Sequence, residues 1–327
     1  MPLPARLYAM VVGAGPSTGG CSLRAGRPLA ALAVLACVVV CPRVAGQAQA
    51  DATDSDLAAV STRTVALGAA GGVKIGDVPL EVYVARVLAG EGEPNAPEAT
   101  QQALAIAIRT YAVFNAGRHK REGFDLCDST HCQVPRSANA NSRRAALATA
   151  GRILTYKGAP AEIFYSASCG GRSETASAAW PTVGVARPYL RSVKDNVHDD
   201  DVPWTLEKSL SELQAALERS GFSGTLKNVE IKSRTKSERA ATLKLSGMRP
   251  DRIAGDQFRA AIGTTVLRST AFSLKKDHDT IRFTGRGYGH GVGMCVIGAG
   301  RRARRGETMT EILKVYYPGL ALQQLSS

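Results

Sequence analysis

Two glutamates in a short segment rich in glycine and proline are the first residues that could do chemistry. The segment reads Gly90-Glu91-Gly92-Glu93-Pro94-Asn95-Ala96-Pro97 and precedes a stretch that ends in Arg109-Thr110-Tyr111. A carboxyl group held by such a segment at the floor of a cleft could act as a general acid and base. Alternatively, Glu91 and Glu93 could do no more than stabilise the N-terminus of the following helix.

Three potential metal ligands, Cys127, His131 and Cys132, stand close together in the segment Cys127-Asp-Ser-Thr-His-Cys-Gln133. Because Zn²⁺ prefers thiolate and imidazole ligands, we expect a structural zinc site, with His119, Cys169 or water as the fourth ligand. The chain has no HExxH helix pattern that would indicate a metal-activated water. A Cys127–Cys132 disulfide is the alternative if the protein is exported.

Two glycine-rich segments could bring backbone amides close to a ligand. Residues 165–174 read YSASCGGRSE and residues 285–294 read GRGYGHGVGM, with His290 as an isolated imidazole in the second. Neither segment has the Lys-Ser/Thr of a phosphate-binding P-loop. Tight turns around a hydrogen-bonded histidine are the alternative interpretation.

The elements that must position these segments do not alternate regularly, which predicts an α+β fold with one main domain over residues 65–322. Residues 51–64 read as a linker, 202–271 as a less characteristic inserted α/β segment, and 323–327 as a tail. Strands are predicted over residues 64–73, 78–84, 153–156, 161–165, 227–233, 240–245 and 281–284. Helices are predicted over residues 94–117, 139–151, 206–220, 255–262 and 309–317.

The N-terminal 50 residues predict export. They contain four arginines, no other charged residue, an apolar run from Leu29 to Cys41 and then Ala48-Gln49-Ala50. This pattern is typical of a signal peptide and too short for a comfortable membrane span. A buried helix, or a lipoprotein signal ending at Cys37, are the alternatives. We therefore expect a protein of the periplasm, cell envelope or exterior that is peripheral to the membrane at most.

The charge of the chain narrows the class of partner. The 327 residues include 41 Lys+Arg against 28 Asp+Glu, a formal charge of +13. Cleavage after Ala50 would remove four arginines and three of the seven cysteines, leaving about +9 and four cysteines. The excess indicates an acidic partner such as nucleic acid, anionic lipid or cell-wall polymer, and export favours the cell wall.

Taken in their order along the chain, these motifs resemble the stage II sporulation protein D (SpoIID)/LytB family. The resemblance rests on Glu91 with Arg109-Thr110-Tyr111, then the segments 127–133, 165–174 and 287–294, and finally Tyr316-Tyr317-Pro318-Gly319. It covers roughly residues 65–322. Two departures stand out: the family commonly has Glu-Met-Pro where this chain has Glu91-Gly92-Glu93-Pro94, and it often has Gln where Val296 stands.

The resemblance implies a lytic transglycosylase that acts on peptidoglycan glycan strands, with Glu91 as its catalytic acid/base and a central cleft that binds glycan. Arg109 would then belong to the catalytic set by orienting the substrate or the local fold. Tyr165, Ser166, Tyr288 and His290 would line the sugar groove. The alternative within the family is a LytB-like amidase enhancer that binds glycan and stimulates a cell-wall amidase without cutting. A nucleic-acid binder, suggested only by the charge and by Arg301-Arg302-Ala303-Arg304-Arg305, does not fit an exported protein.

Overall fold

The computed structural model describes residues 52–180, 187–197 and 201–325. The predicted signal peptide lies outside these residues, as does the end of the predicted tail. The described residues belong to one compact unit. Within the described part, no helix combines the length and the apolar composition that crossing a bilayer requires.

Helix starts in this chain are set largely by side-chain caps. Thr53, Asn139, Ser209 and Thr308 each accept a hydrogen bond from the backbone three residues on, and the residue in that position bonds back to the cap. The helices are α1 (Asp54–Ala59), α2 (Leu80–Glu91), α3 (Glu98–Phe114), α4 (Ala140–Ala148), α5 (Ala176–Ala179), α6 (Leu210–Glu218), α7 (Gly255–Ile262), α8 (Val296–Arg304) and α9 (Met309–Tyr316), with a 3-10 turn at Lys120–Glu122.

The strands form several small sheets rather than one large sheet. They are β1 (Thr64–Gly68), β2 (Lys74–Pro79), β3 (Leu126–Cys127), β4 (Arg152–Tyr156), β5 (Ala159–Pro160), β6 (Tyr165–Ser166), β7 (Trp204–Ser209), β8 (Ser223–Arg234), β9 (Ala240–Arg249), β10 (Arg252–Ala254), β11 (Phe272–Asp277), β12 (Thr280–Gly285), β13 (Met294–Cys295) and β14 (Ala321–Gln324). The sheet orders are β2-β1-β3, β14-β4-β5, β13-β6, β10-β9-β8 and β11-β12-β7. The mixture of helices with small sheets confirms the predicted α+β class.

The described residues form two hydrophobic cores. The first is built on the buried helices α2 and α3 and includes side chains from Leu57 to Leu190 and from Val292 to Leu325. The second runs from Trp204 to Phe283 and packs α6 and α7 against the β8-β9 hairpin and the β11-β12-β7 sheet. The inserted segment therefore has a core of its own, and that core continues past residue 271, where the sequence suggested it ended. The chain then returns to the first core at the second glycine-rich segment.

The structure departs from the predicted elements at two places that matter for the site. Residues 78–84 were predicted as a strand but belong mostly to α2, which is buried on nearly all sides and therefore shows no amphipathic period. Residues 51–64 were predicted as a linker but contain α1, whose Leu57 is fully buried in the first core. In both places tertiary burial outweighs the local pattern.

Candidate active site

Glu91 is the last residue of α2, and it is partly buried. The backbone N–H of Val134 donates to Oε1 at 2.6 Å, and the Tyr165 hydroxyl donates to Oε2. Burial raises the pKa of Glu91 to about 7, although both hydrogen bonds favour the charged form. A carboxyl with this pKa is populated in both forms near neutral pH, as a group that both gives and takes a proton requires.

A buried chain of hydrogen bonds sets the direction in which Tyr165 donates. The Tyr83 hydroxyl donates to Oε1 of Gln133 at 3.0 Å, and Nε2 of Gln133 donates to the Tyr165 oxygen at 2.8 Å. Because that oxygen accepts from an amide N–H, its own proton is available to Glu91. The Gln133 side chain thus fixes both the position and the polarity of the contact to the carboxyl.

A glycine at the end of α2 lets the segment that carries Val134 approach this closely. A Cβ at Gly90 would stand 1.9 Å from the Val134 carbonyl oxygen. Two residues further along, the Arg136 N–H donates to the Arg86 carbonyl of α2 at 2.9 Å. Residues 134–136 therefore lie along the end of α2, held there by the backbone.

The segment that precedes Gln133 carries a cluster of potential metal ligands. One ligand atom from each of His119, Cys127, His131 and Cys132 lies within 4.8 Å of the other three. Cys132 Sγ lies 3.3 Å from His119 Nε2, and Nδ1 of His131 lies 3.7 Å from each sulfur. A tetrahedral zinc site with bonds of about 2.0–2.3 Å has ligand-to-ligand edges of about 3.6 Å, so the four residues fit Zn²⁺. Both cysteines are thiols in this structure.

The surroundings of the two histidines suit metal binding. His119 Nδ1 lies 2.7 Å from Oε1 of Glu122, which leaves Nε2 facing Cys132 and orients the ring as a second-layer carboxylate does in metal sites. Burial, followed by the charge of Arg118, lowers the pKa of His131, which favours the neutral imidazole that binds metals. Of the predicted candidates for the fourth ligand, the structure therefore brings His119 to the cluster. Cys169 lies in a different group with Asp195 and Cys295.

The two glycine-rich segments pair with each other beside Tyr165. β6 and β13 are parallel neighbours, and the backbones of Ser168 and Tyr288 exchange hydrogen bonds of 3.0 and 2.9 Å. Gly293 has φ +71° and leaves no room for a side chain, since a Cβ there would stand 1.9 Å from the Phe164 carbonyl oxygen. The glycines thus serve close backbone packing, with no phosphate cradle involved.

Three of the predicted groove residues differ in their access to solvent. Tyr288 is 37% exposed, whereas Ser166 is buried and its hydroxyl has no hydrogen-bond partner within the described residues. His290 accepts a hydrogen bond at Nδ1 from the Val292 N–H at 3.0 Å. Burial, and then the charges of Arg259 and Arg239, lower the pKa of His290 to about 3. His290 is therefore a neutral residue that cannot supply a proton near pH 7.

Comparison with known proteins agrees with this arrangement of motifs. The profile described as "Stage II sporulation protein" (SpoIID) matches residues 69–156, and one described as a domain of unknown function matches residues 200–293. The chain is 31% identical over 278 residues to stage II sporulation protein D of Bacillus amyloliquefaciens. The matched region covers 77% of this chain and 76% of that protein. The chain belongs to the SpoIID family.

Two further relatives show the breadth of the SpoIID family. An uncharacterized protein of Brachyspira hyodysenteriae is 32% identical over 254 residues, which is 76% of this chain and 67% of that protein. The amidase enhancer of Bacillus subtilis (strain 168) is 28% identical over 274 residues, covering 68% of this chain but only 37% of the enhancer. One of these relatives is thus named a sporulation protein and another an amidase enhancer.

Arg109 does not contact Glu91 in this SpoIID-family protein, contrary to its place in the predicted catalytic set. Its side chain is 0% exposed, and Nε and Nη2 bind Glu81 of α2 at 2.9 and 2.5 Å. Nη1 donates to the Arg152 carbonyl at 3.0 Å, and Nη2 also lies 3.2 Å from the Ala146 carbonyl. Arg109 joins α2, α3, α4 and β4, so its role is in the local fold, the second of the two roles that the sequence allowed.

Some residues of the site have roles that the sequence analysis did not assign. Gln133 stands at the end of the segment that carries the predicted metal ligands, and no local pattern marks Tyr83 or the Val134 N–H. Trp180 was also missed; it is partly buried, and its ring lies 5.0 Å from that of His290 and 4.8 Å from that of Phe164. Only Trp180 carried a detectable signal, as one of two tryptophans in the chain and the one that follows a glycine-rich segment.

Proposed function

We propose that this protein is an exported lytic transglycosylase that cleaves the MurNAc-GlcNAc bond of peptidoglycan and leaves 1,6-anhydroMurNAc ends. Membership of the SpoIID family supports a cell-wall-related function. The observation that carries the specific activity is Glu91, a single carboxyl group with a pKa of about 7, oriented by the Val134 N–H and the Tyr165 hydroxyl.

One carboxyl group is sufficient for this reaction. Protonated Glu91 donates its proton to the glycosidic oxygen as the bond to C1 of muramic acid breaks. The resulting carboxylate then takes the proton of the C6 hydroxyl as O6 bonds to C1. The proton of Glu91 is thereby restored, and no water is consumed. A glycosidase that hydrolyses the bond instead needs a second carboxylate to activate water or to form a covalent intermediate.

The surroundings of Glu91 support the one-carboxyl mechanism. Both of its hydrogen-bond partners are donors, and neither is an acid. Glu93, the acid nearest in sequence, is turned toward α8, where it lies 3.5 Å from Nη2 of Arg304. Gln133 and Tyr83 hold Tyr165 in place as Glu91 changes between its two protonation states. Trp180 and Tyr288 provide aromatic surface of the kind that lines ligand clefts.

The test is product chemistry with purified glycan in water enriched in ¹⁸O. We expect anhydro-ended sugars without incorporated ¹⁸O, and we expect Glu91→Gln to lower their rate of release by about 10²- to 10⁴-fold. Glu93→Gln is the matched control, since it removes a neighbouring carboxyl that faces Arg304, and it should retain activity. Incorporation of ¹⁸O at the sugar ends, or wild-type rates with Glu91→Gln, would contradict the proposal.

An amidase enhancer is the second candidate, favoured by the similarity to the Bacillus subtilis protein of that name. In that case the protein alone would release no sugar fragments, and peptides would be released faster only when a cell-wall amidase is added. Glu91→Gln would then enhance the amidase as well as the wild type does. The same preparation of glycan therefore separates the two functions.

We also propose that His119, Cys127, His131 and Cys132 hold a structural Zn²⁺. When bound, the ion would crosslink the loop that ends at Cys132 to the turn that carries His119. Since Gln133 and Val134 follow Cys132 directly and both act on the Glu91 site, the order of this loop bears on the activity.

Metal analysis tests this assignment. We expect one zinc per chain, its loss in Cys127→Ser, and a lower Tm for the wild type after treatment with a chelator. Glycan cleavage should fall with the zinc content and return when Zn²⁺ is added back. Cys169→Ser should keep its zinc. Protein purified without reductant and free of zinc, with Cys127 and Cys132 joined, would favour the disulfide instead.

A further inference from the structure

The two other cysteines of the described chain meet beneath the paired glycine-rich segments. Cys169 follows Ser168 in the first segment, and Cys295 follows Met294 at the end of the second. They are 2% and 0% exposed, and their sulfurs lie within 4.8 Å of each other. Sγ of Cys295 accepts a hydrogen bond from the backbone N–H of Cys169 at 3.2 Å. The sulfur of one cysteine thus lies against the backbone of the other.

The third member of this group, Asp195, argues against a metal site. Its Oδ1 lies 2.8 Å from Nη2 of Arg302, and its Oδ2 accepts a hydrogen bond from the Tyr316 hydroxyl at 2.5 Å. Both carboxylate oxygens are therefore engaged. The guanidinium charge of Arg302 would also repel a metal cation bound beside Asp195. The two cysteine pairs differ in their neighbours. Cys127 and Cys132 face two imidazoles, whereas Cys169 and Cys295 face an ion pair.

We propose that Cys169 and Cys295 form a disulfide that joins the two glycine-rich segments. The oxidant is a disulfide of the compartment into which the chain is delivered, either a small-molecule or a protein disulfide. One cysteine thiolate attacks it, its S–S bond breaks, and one reduced thiol leaves. The second cysteine then attacks the mixed disulfide, which forms the Cys169–Cys295 bond and releases the second thiol. The two cysteines lose two electrons and two protons, which the oxidant takes up as two thiols.

The burial of the pair indicates when the bond forms. Contact with Cys295, together with burial, raises the pKa of the Cys169 thiol. A protonated and inaccessible thiol exchanges slowly, so the bond forms before the segments close over it. Once formed, it closes the long stretch of chain that contains the whole inserted segment, and it therefore restricts the unfolded state strongly. It also holds Ser166 and Tyr288 on adjoining segments together whether or not substrate is bound.

A single tryptic map tests the proposal. Cys169 lies in peptide 158–172 and Cys295 in peptide 287–301, each the only cysteine of its peptide, whereas Cys127 and Cys132 share peptide 122–136. The full chain would be produced in an oxidising compartment, and separately refolded in a mixture of oxidised and reduced glutathione. Both samples would be alkylated in denaturant and digested without reductant. We expect peptides 158–172 and 287–301 as one linked species, which separates into two when a phosphine reductant is added.

Stability measurements give an independent readout. The reductant should lower the Tm of the oxidised wild type by on the order of 10 °C. The double variant Cys169→Ser/Cys295→Ser should show no such shift, and Cys169→Ser alone should leave Cys295 free to be alkylated.

Two results would overturn the proposal. One is recovery of both peptides fully alkylated from each oxidised sample. The other is a second metal ion per chain that the double variant lacks. Neither readout depends on glycan cleavage, and the map of the wild type decides the matter even if the variants do not fold.

Discussion

At the scale of single residues, the pKa of Glu91 is set by opposing effects. Removal from water favours the neutral form, whereas the Tyr165 hydroxyl and the Val134 N–H favour the charged form. Burial is the larger effect, and the two donors keep the shift moderate. Without those donors the pKa of the carboxyl group would be higher and the group would stay protonated at neutral pH, whereas in open water it would be ionised there.

This balance predicts a pH-dependent cost to stability. Since the pKa of Glu91 rises from 4.5 in the unfolded chain to about 7 in the folded chain, the folded state binds the proton more tightly. The contribution of this tighter proton binding to the free energy of unfolding is complete below about pH 4.5 and is lost as the pH rises through about 7. The loss reaches about 3 kcal/mol. We therefore expect Glu91→Gln to gain stability relative to the wild type between pH 4.5 and pH 8.

Urea unfolding of both proteins at a series of pH values measures this difference. Glu93→Gln, unfolded under the same conditions, is the matched control for removal of a neighbouring carboxyl group. A difference between Glu91→Gln and the wild type that does not change with pH would mean that Glu91 is not perturbed by burial.

At the scale of elements, the end of α2 and the segment 127–134 make up one functional unit. α2 ends at Glu91, and the segment runs from the proposed zinc ligands through Gln133 to Val134. Its approach to the helix depends on Gly90, where a Cβ would collide with the Val134 carbonyl. Backbone packing, more than side-chain identity, therefore determines whether the Val134 N–H reaches Glu91.

Gly90→Ala tests this dependence. We expect it to displace Val134, remove its hydrogen bond to Glu91 and lower glycan cleavage by about 10-fold or more, since a shift of about 1 Å at a catalytic group is costly. Gly71→Ala is the matched control, because a Cβ there meets nothing within 4 Å. Activity of both variants would be compared at equal folded fraction, measured by circular dichroism. Equal activity of the two variants would contradict the expectation.

At the scale of the whole molecule, the inserted segment contacts both glycine-rich segments. Arg239, next to the start of β9, is buried and donates from Nη2 to the Cys169 carbonyl at 2.8 Å. A Cβ at Gly291 would stand 2.2 Å from the same nitrogen, so the guanidinium lies directly against the second glycine-rich segment. Nearby, the Ser237 hydroxyl donates to Glu174, a buried carboxyl of the first segment. The insert therefore supports both segments.

Arg239→Met is expected to destabilise the protein and to lower glycan cleavage, although it touches no substrate. Loss of the guanidinium leaves Glu174 buried without its nearby positive charge, at a cost on the order of 3 kcal/mol. Adding Glu174→Gln should recover much of that stability, and the zinc content should stay unchanged in both variants. Arg252→Met, at an exposed position, is the control. Failure of Glu174→Gln to restore stability would show that the two groups are not coupled.

In the whole molecule, the basic residues near the C-terminus form ion pairs with acidic residues of other segments. Within the run Arg301 to Arg305, Arg301 pairs with Asp201, Arg302 with Asp195 and Arg304 with Glu93. These arginines join α8 to the rest of the fold. Arg301 and Arg302 are thus engaged within the fold, whereas Arg304 and Arg305 lie at exposed positions.

Much of the fold could be predicted where the local signal was strong. The helical period over residues 99–114 corresponds to α3, and the helices predicted at 255–262 and 309–317 are confirmed as α7 and α9. α2 was missed because burial on nearly all sides removes the period, and α8 because Gly298 and Gly300 lower its helical propensity. The predicted helix ends were less accurate than the helices themselves.

The sequence by itself determined the family, the α+β class, the order of the motifs and the candidate acid, because residue types and spacing are local properties. Only the tertiary structure decided which groups meet. It placed the Tyr165 hydroxyl on Glu91 and the Gln133 amide on Tyr165, brought His119 to the cysteine cluster, and paired Arg109 with Glu81. These contacts join residues that are distant in the chain, and they depend on burial and backbone packing, which no local pattern records.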